Sequence, residues 1–593
     1  MAELVLGPVL RHVDATSATV WVETDAACEV EIAGYRAATF QVGEQHFALV
    51  VLDGLTPDTT TPYRVRLDDH VVWPPPDYSF PAPRIRTSGV RRIVFGSCRA
   101  AKGHHGPGHD KLGPDALDAF AKQLKELPEE QWPDALLLLG DQVYADEPTP
   151  KVRRWLAERR PEPEGEVVSF REYAELYHES WADPEIRWLM SVLPTSMIFD
   201  DHDIRDDWNT SRVWRAQMAE YRWWGQRIRA GLASYWVYQH LGNLGLDELA
   251  RDELWAKVRT AGGNVQGLLE DFAEQADREA DGRKPTRWSY RRDFGRTRLL
   301  VIDTRAGRIL DGPERLMVSD EEFDWIERNA EGDYDHLLIG SSLPWLMPHA
   351  LSHFQSLNEK AAARPGRRGR VAERIRQLGD LEHWPAFRAS FERLARLVHR
   401  IGTTPQAPST ICILSGDVHH SYAARAEFTT PTHSEVLQLV CSPVHNDPPW
   451  FFRPIFALSW SRPLARFLRW RATRAGVSPD PVSWRKISGP HFGNSIALLD
   501  LTTTPAHYHL ETATPTGLTT ATDLTFPHPH PHFDPTNEST PNAAPTAHSD
   551  PTADPHPTAA PGPTANPGPT ANPGTGPNST PAPDSGPAPG QHP

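Results

Sequence analysis

The chain has 593 residues, with 77 Asp and Glu against 61 Lys and Arg and a formal net charge of −16, so it is too long for one ordinary core and too acidic for unspecific binding to nucleic acid or an anionic membrane. Its four cysteines, Cys28, Cys98, Cys412 and Cys441, are too few and too scattered for a disulfide framework and suit a reducing compartment. With no basic region followed by an apolar one at the start, no twin arginine and no apolar run of membrane length, the expectation is a soluble, cytoplasmic protein.

Residues 1–88 show short runs such as "SATVWVET", "CEVEIAG", "FALVVLDGL" and "YRVRLDDHVVW" between Gly, Asp and Pro turns, the pattern of a small all-β sandwich domain. Such a module is expected to pack or to space, without chemistry of its own. From residue 89 the character changes to α/β. The strand candidates "RRIVFG", "ALLLLG", "TSMIFD", "RLLVID", "HLLIGS" and "ICILSG" alternate with helical stretches, as buried strands covered by helices do.

This second domain is expected to run over 89–525. It contains a Trp-rich, charged helical insertion at about 212–291, either a lid or a core-building element. The segment from Trp450 to Gly476 interleaves aromatics with six arginines and no acid, and Pro454 and Pro463 divide it. An enzyme surface or subunit contact is expected of it ahead of membrane contact. Residues 526–593 are Pro, His, Thr and Ala-rich and read as a disordered tail, in which "PHPHPH" is read as extended polyproline-like chain, with loose metal binding as the alternative.

Four of the buried strands run directly into polar clusters. Ser97 and Cys98 follow "RRIVFG", and Asp141 and Tyr144 follow "ALLLLG". Asp200, Asp201, His202 and Asp203 close "TSMIFD", and Asp417, His419 and His420 follow "ICILSG". Ligand crevices of open α/β sheets lie outside the carboxyl ends of the strands, so the four clusters are expected to converge. Each taken singly reads as a turn or a small buried thiol. Together they are a set of metal-ligand types, because packed carboxylates raise one another's pKa unless cations neutralise them. Thiolate and phenolate favour a highly charged or redox-capable ion such as iron, and a carboxylate bridging two ions would make a two-metal hydrolytic site.

The set "FGSCR", "LLLLGDQVYADE", "FDDHDIRDDWN", "VIDTRAGR" and "LSGDVHHS", in this order over about residues 90–515, resembles the alkaline phosphatase D family, the PhoD-like members of the calcineurin-type metallophosphoesterases. The opening "GPVLRHVDATSATVWVE" is similar to the β-sandwich preceding their catalytic domain. The resemblance implies a four-layer αββα sandwich and hydrolysis of phosphomonoesters or phosphodiesters by a hydroxide activated between two metals. It implies Cys98 as thiolate ligand, Asp141 as bridging carboxylate, Tyr144 as phenolate on ferric iron, and Asp201, Asp417 and His419 as further ligands. Asn209 would lie near the second metal, although "RDDWN" departs from the family pattern. His202 would protonate the leaving group or hold a phosphoryl oxygen. The metals implied are Fe3+ and Ca2+, with Zn2+ or Mn2+ as alternatives.

Arg99 and Arg305 are read as clamps for phosphate oxygens, with a structural ion pair as the alternative for each, and Trp345 and His349 as possible pocket residues. The substrate expected is a phosphoester on a small molecule or a lipid headgroup. Two rival readings are a binding protein with a vestigial phosphatase domain, whose mark would be a lost ligand, and a metal-dependent hydrolase of non-phosphate esters.

Overall fold

The computed structural model describes residues 1–102, 112–278, 286–311, 314–503 and 506–526. The chain divides into two units, Met1–Pro531 and His532–Pro593, and all described residues lie in the first. The expected tail from 527 onward therefore lies outside the described residues. Phe526 does not belong with it, because it is buried at the end of the last strand.

The first strands are β1 (Leu4–Val13), β2 (Ser17–Thr24), β3 (Glu29–Ile32), β4 (Tyr35–Ala38), β5 (Phe40–Val42), β6 (Gln45–Asp53), β7 (Thr60–Pro62), β8 (Val65–Leu67) and β9 (His70–Trp73). They make two antiparallel four-stranded sheets, ordered β1-β2-β6-β5 and β4-β3-β8-β9, while β7 pairs with β10 (Arg84–Arg86). Alternate residues of β2 face opposite ways. Ala18, Val20 and Val22 join the core between the sheets, whereas Trp21 on the other face joins the main core of the chain. Every residue of β2 is buried, so the module is packed on both faces.

Two larger sheets follow. The first contains β11 (Arg92–Gly96), β12 (Ala135–Leu139) and β13 (Thr195–Ile198). The second contains β14 (Tyr290–Phe294), β15 (Thr297–Ile302), β16 (His336–Ser341), β17 (Thr410–Ser415), β18 (Ser421–Glu427), β19 (Glu435–Val440) and β20 (Ser483–His491). The chain then returns to the first sheet with β21 (Ser495–Asp500), β22 (Ala506–Thr514) and β23 (Gly517–Phe526). The orders are β13-β12-β11-β21-β22-β23 and β14-β15-β16-β17-β19-β18-β20.

Strands β11, β12 and β13 are mutually parallel, as are β15, β16, β17 and β19, and the antiparallel strands flank them. Leu299, Val301, Leu338, Cys412 and Leu414 share one core with the first sheet. Their alternates Leu300, Ile302, Ile339, Ile411 and Ile413 pack with Phe323 and Ile326 of helix Asp320–Ala330 and with Phe391, Leu394 and Val398 of helix Arg388–Gly402. This period-2 division explains why the strands read as continuous apolar runs: both faces are covered.

The helical insertion builds core. Tyr238 and Trp236 are buried, and Tyr238 meets Trp21 and Phe47 of the N-terminal module at ring separations of 5.3 Å each. Arg11 of β1 donates to the Gln239 carbonyl and, at 3.1 Å, to Asn243 Oδ1, and Asn243 bonds the backbone of Met197 in β13. Of the two expected roles for this insertion, the core-building one matches these contacts. Among the described residues no helix is long and apolar enough to cross a membrane.

Candidate metal centre

The segments after β11, β12, β13 and β17 meet at one place, joined by backbone as well as side chains. Cys98 N–H donates to Gly140 O at 3.2 Å, Arg99 N–H to Asp141 O at 3.1 Å, and Asp417 N–H to Ser97 Oγ at 3.0 Å. Glycine is required where these segments cross. A Cβ on Gly140, which has φ +111°, would lie 2.5 Å from Asp200 Cβ, and one on Gly416 would lie 1.7 Å from Ser97 Oγ. The side chains delivered there sit on unusual backbone: Cys98, Asp141, Asn209, Asp417 and His419 all have φ between 49° and 66°. Left-handed non-glycine residues cost free energy and concentrate at functional sites.

Asp141 stands at the centre. Its N–H donates to Asp203 Oδ2 at 3.1 Å, its Oδ2 accepts from the Tyr144 hydroxyl at 3.4 Å, and its Oδ1 is buried with no hydrogen-bond partner. Carboxylate oxygens of Asp141, Asp200 and Asp201 all lie within 4.8 Å of one another. Burial pushes Asp141 well above the ordinary carboxylate range against the pull of His202, with Asp201, Asp203 and Asp417 adding to the rise. Asp200 is raised in the same way by burial, although Arg305 opposes it. Three crowded acids, two of them with an orphaned buried oxygen in Asp141 Oδ1 and Asp200 Oδ2, fit a site for cations.

The softer donors lie alongside. Cys98 Sγ is fully buried, 3.3 Å from Ser97 Oγ and 3.4 Å from Ser442 Oγ, which donates to it. Burial, then the charges of Asp141 and Asp417, push this thiol up. The Tyr144 hydroxyl accepts from Asn446 Nδ2 at 3.0 Å. Asp417 Oδ2 lies 2.8 Å from His383 Nε2, and despite burial His383 and Arg305 hold Asp417 below the usual range. Burial lowers His419 to about 4, leaving its imidazole neutral and able to serve as a nitrogen ligand.

The His202 ring lies tilted beside Tyr144, with ring centroids 4.6 Å apart, and its Nδ1 lies 2.9 Å from Asp146 Oδ1. Burial opposes protonation of His202, yet Asp146, then Asp141 and Asp201, outweigh it and raise the pKa well above the ordinary value. The carboxyl of Asp146 is held at about 2, since His202 more than offsets its burial.

Three of the expected site residues are engaged by protein partners. Arg99 is buried and committed to Asp115 Oδ2, at 2.8 and 3.1 Å, and to the carbonyl and hydroxyl of Ser180. Asp115 also caps helix Ala116–Leu124, so Arg99 ties that helix to the site and takes the structural role. Arg305 is likewise fully buried. All three of its guanidinium nitrogens are used: Nε on Asp200, Nη1 on Glu382, and Nη2 on Asp201 at 3.2 Å and Asp417 at 3.4 Å. Its charge is thus paired with four carboxylates of the cluster, the ion-pair alternative of the two expected.

Asn209 is bonded at both ends, Nδ2 donating to Arg305 O at 3.2 Å and Oδ1 accepting from Arg215 at 2.9 Å, so it braces Arg305. Trp345 and His349 take the packing alternative to pocket lining. Trp345 is in the core, and the His349 ring stacks on Trp484 at 4.8 Å. Residues the sequence reading did not assign are His383, Glu382, Asp203, Ser442 and Asn446.

The two mixed sheets with acids, a thiol, a phenol and imidazoles at the ends of their parallel strands are the architecture of a metallophosphoesterase. A family model described as PhoD-like phosphatase matches residues 118–451, more than half of the chain, and one described as a domain of unknown function (DUF7800) matches residues 1–85. The chain belongs to the PhoD-like phosphatase family. The solved structure of PhoD has the same fold, with a TM-score of 0.51 at 13% identity over 87% of this chain and 92% of that one. A purple acid phosphatase from yellow lupin (Lupinus luteus) seeds, PPD1, superposes with a TM-score of 0.43 at 12% identity over 87% of this chain and 73% of its own. No curated protein matches. The protein is a phosphoesterase, and metal-dependent phosphoester hydrolysis is the chemistry of its family.

Proposed function

We propose that the protein hydrolyses phosphoesters at a dinuclear centre held by Cys98, Asp141, Tyr144, Asp201, Asp417 and His419, with Asp141 between the two ions. The observation that carries this reading is the buried, unpartnered Oδ1 of Asp141, itself on left-handed backbone, within a trio of crowded acids. Fe3+ with Ca2+ suits the donor set, the thiolate and phenolate on the trivalent ion and oxygen donors on the other, with Zn2+ or Mn2+ as alternatives. When bound, the ions supply an activated water and neutralise the phosphate charge.

The chain's own groups do the rest. His202, held protonated by Asp146, is placed to give its proton to the departing alkoxide. Arg305 and Asn209 keep the acid cluster in position, and Asp203 fixes the backbone of both Asp141 and Asp200. The layer order helix, sheet, sheet, helix goes with this reading. The four cysteines are free thiols, which fits a reducing compartment.

Rates on a nitrophenyl phosphomonoester and on the matching bis-ester, each with and without vanadate, test the proposal. Vanadate-sensitive turnover of either ester supports it and assigns the preference. Turnover only of carboxylic esters, insensitive to vanadate, overturns it.

A further inference from the structure

The segment Trp450 to Gly476 folds as a short turn of helix, Trp450–Phe452, and two helices, Arg453–Ser459 and Arg462–Arg474. Pro454 and Pro463 lie in the first turns of the two helices, where a missing N–H costs nothing, so they start helices as well as divide the segment. The second helix buries Ala465 and Ala472 and turns Phe467 and Trp470 to solvent, their rings 5.9 Å apart. Together with Trp450, Phe451, Ile455 and Leu458, these form a run of large apolar side chains, from 46% to 75% exposed. Around them stand Arg462, Arg466, Arg469, Arg471 and Arg474, and among the described residues no carboxylate lies within ion-pair distance of these five.

The patch continues into a groove of about 510 Å³ lined by Leu357, Val371 and Ile375, with Arg364, Arg368 and Arg474 beside it. It also abuts the metal centre. The Phe456 ring stacks on His420, next to His419, at 4.9 Å, and Arg453 pairs with Asp447, next to Asn446, at 3.1 Å.

We propose that this face docks the enzyme on an anionic lipid surface, with the aromatics in the headgroup boundary and the arginines on the lipid charges. Exposed Trp and Phe beside arginines on one helical face are what interfacial binding requires. The net charge of −16 does not oppose it, because charges beyond roughly 8 Å are screened at physiological ionic strength, and helix Arg462–Arg474 itself carries five arginines and no acid. A second copy seated on the same face would set arginine against arginine. The proposal goes beyond the hydrolytic reading and does not depend on it.

The test is co-sedimentation of the full-length protein with vesicles of phosphatidylcholine alone or mixed with phosphatidylglycerol, at about 0.15 M salt. Wild type is expected to bind the mixed vesicles and not the neutral ones. The paired substitutions Phe467→Ser with Trp470→Ser, and Arg466→Glu with Arg471→Glu, are each expected to weaken binding by roughly tenfold or more. Both are exposed changes and should leave turnover of a soluble nitrophenyl ester as it was. Absence of binding to mixed vesicles overturns the proposal, as does equal binding by the variants. Self-association in light scattering that the variants abolish, with vesicles left unbound, would make a second copy the occupant and overturn it too.

Discussion

Asp203 Oδ2 accepts the backbone N–H of Asp141 at 3.1 Å and that of Asp200 at 2.9 Å, while Oδ1 accepts from Gln239 Nε2 at 3.1 Å. One carboxylate thus fixes the ends of β12 and β13 to each other and both to the helical insertion. Through Gln239, whose carbonyl is held by Arg11, the N-terminal β module reaches the acid cluster. Asp203→Ala is expected to lower metal affinity by about 10- to 100-fold, the usual cost of losing a group that orients ligands. Calorimetric metal titration of the apo protein checks it. Unchanged affinity would make Asp203 a purely structural cap.

His202 tests the division of labour between metal binding and proton transfer. Its ring faces Tyr144 and its Nδ1 is held by Asp146. His202→Ala is expected to retain its metal and to lose turnover by about 10²- to 10⁴-fold. Asp146→Asn should lose less, because the ring remains but is no longer held protonated. Metal content measured beside steady-state kinetics separates the two effects.

Arg305 sets one positive charge among four acids, of which Asp200, Asp201 and Glu382 are buried and Asp417 is partly buried. Removing one partner of a buried ion pair leaves the others uncompensated, at a cost of about 3–5 kcal/mol. Arg305→Met is expected to lose that much stability in urea denaturation of the metal-free protein. A loss under 1 kcal/mol would mean that water or protonation of the acids, not Arg305, balances the cluster.

His178 gives a pH-dependent contribution away from the site. Its Nε2 lies 2.8 Å from Glu23 Oε1, which joins helix Phe170–Trp181 to β2. Burial works against protonation of His178, but the hydrogen bond and charge of Glu23 outweigh it, and the pKa rises above its ordinary 6.5. A raised folded-state pKa gives stability that is complete below 6.5 and is lost as pH climbs through the raised value. His178→Gln is therefore expected to flatten the decline of melting temperature over that window. An unaltered slope would place the decline in other groups.

What the sequence revealed was governed by strand ends. Cys98, Asp141, Asp201, Asp417 and His419 each follow an apolar strand within a few residues, so the parallel topology that gathers them could be read in advance. His383 could not: it lies between helices, and its partner Asp417 is 34 residues further on. Arg99 and Arg305 had the right chemistry for phosphate, but the sequence does not disclose that Asp115, Asp200 and Glu382 fold against them. The tryptophans of the insertion likewise gave no sign of whether they cap the site or fill the space under the β module. Contacts such as those of Tyr238 with Trp21 and Phe47 decide that.

Elemental analysis of the full-length protein, purified without added metal, tests the central claim most directly. The proposed centre requires about two metal equivalents per chain, iron among them, and their loss together with activity in Asp141→Asn. Protein that carries no metal and takes up none on reconstitution, or an Asp141→Asn variant with normal metal content and rate, would contradict it.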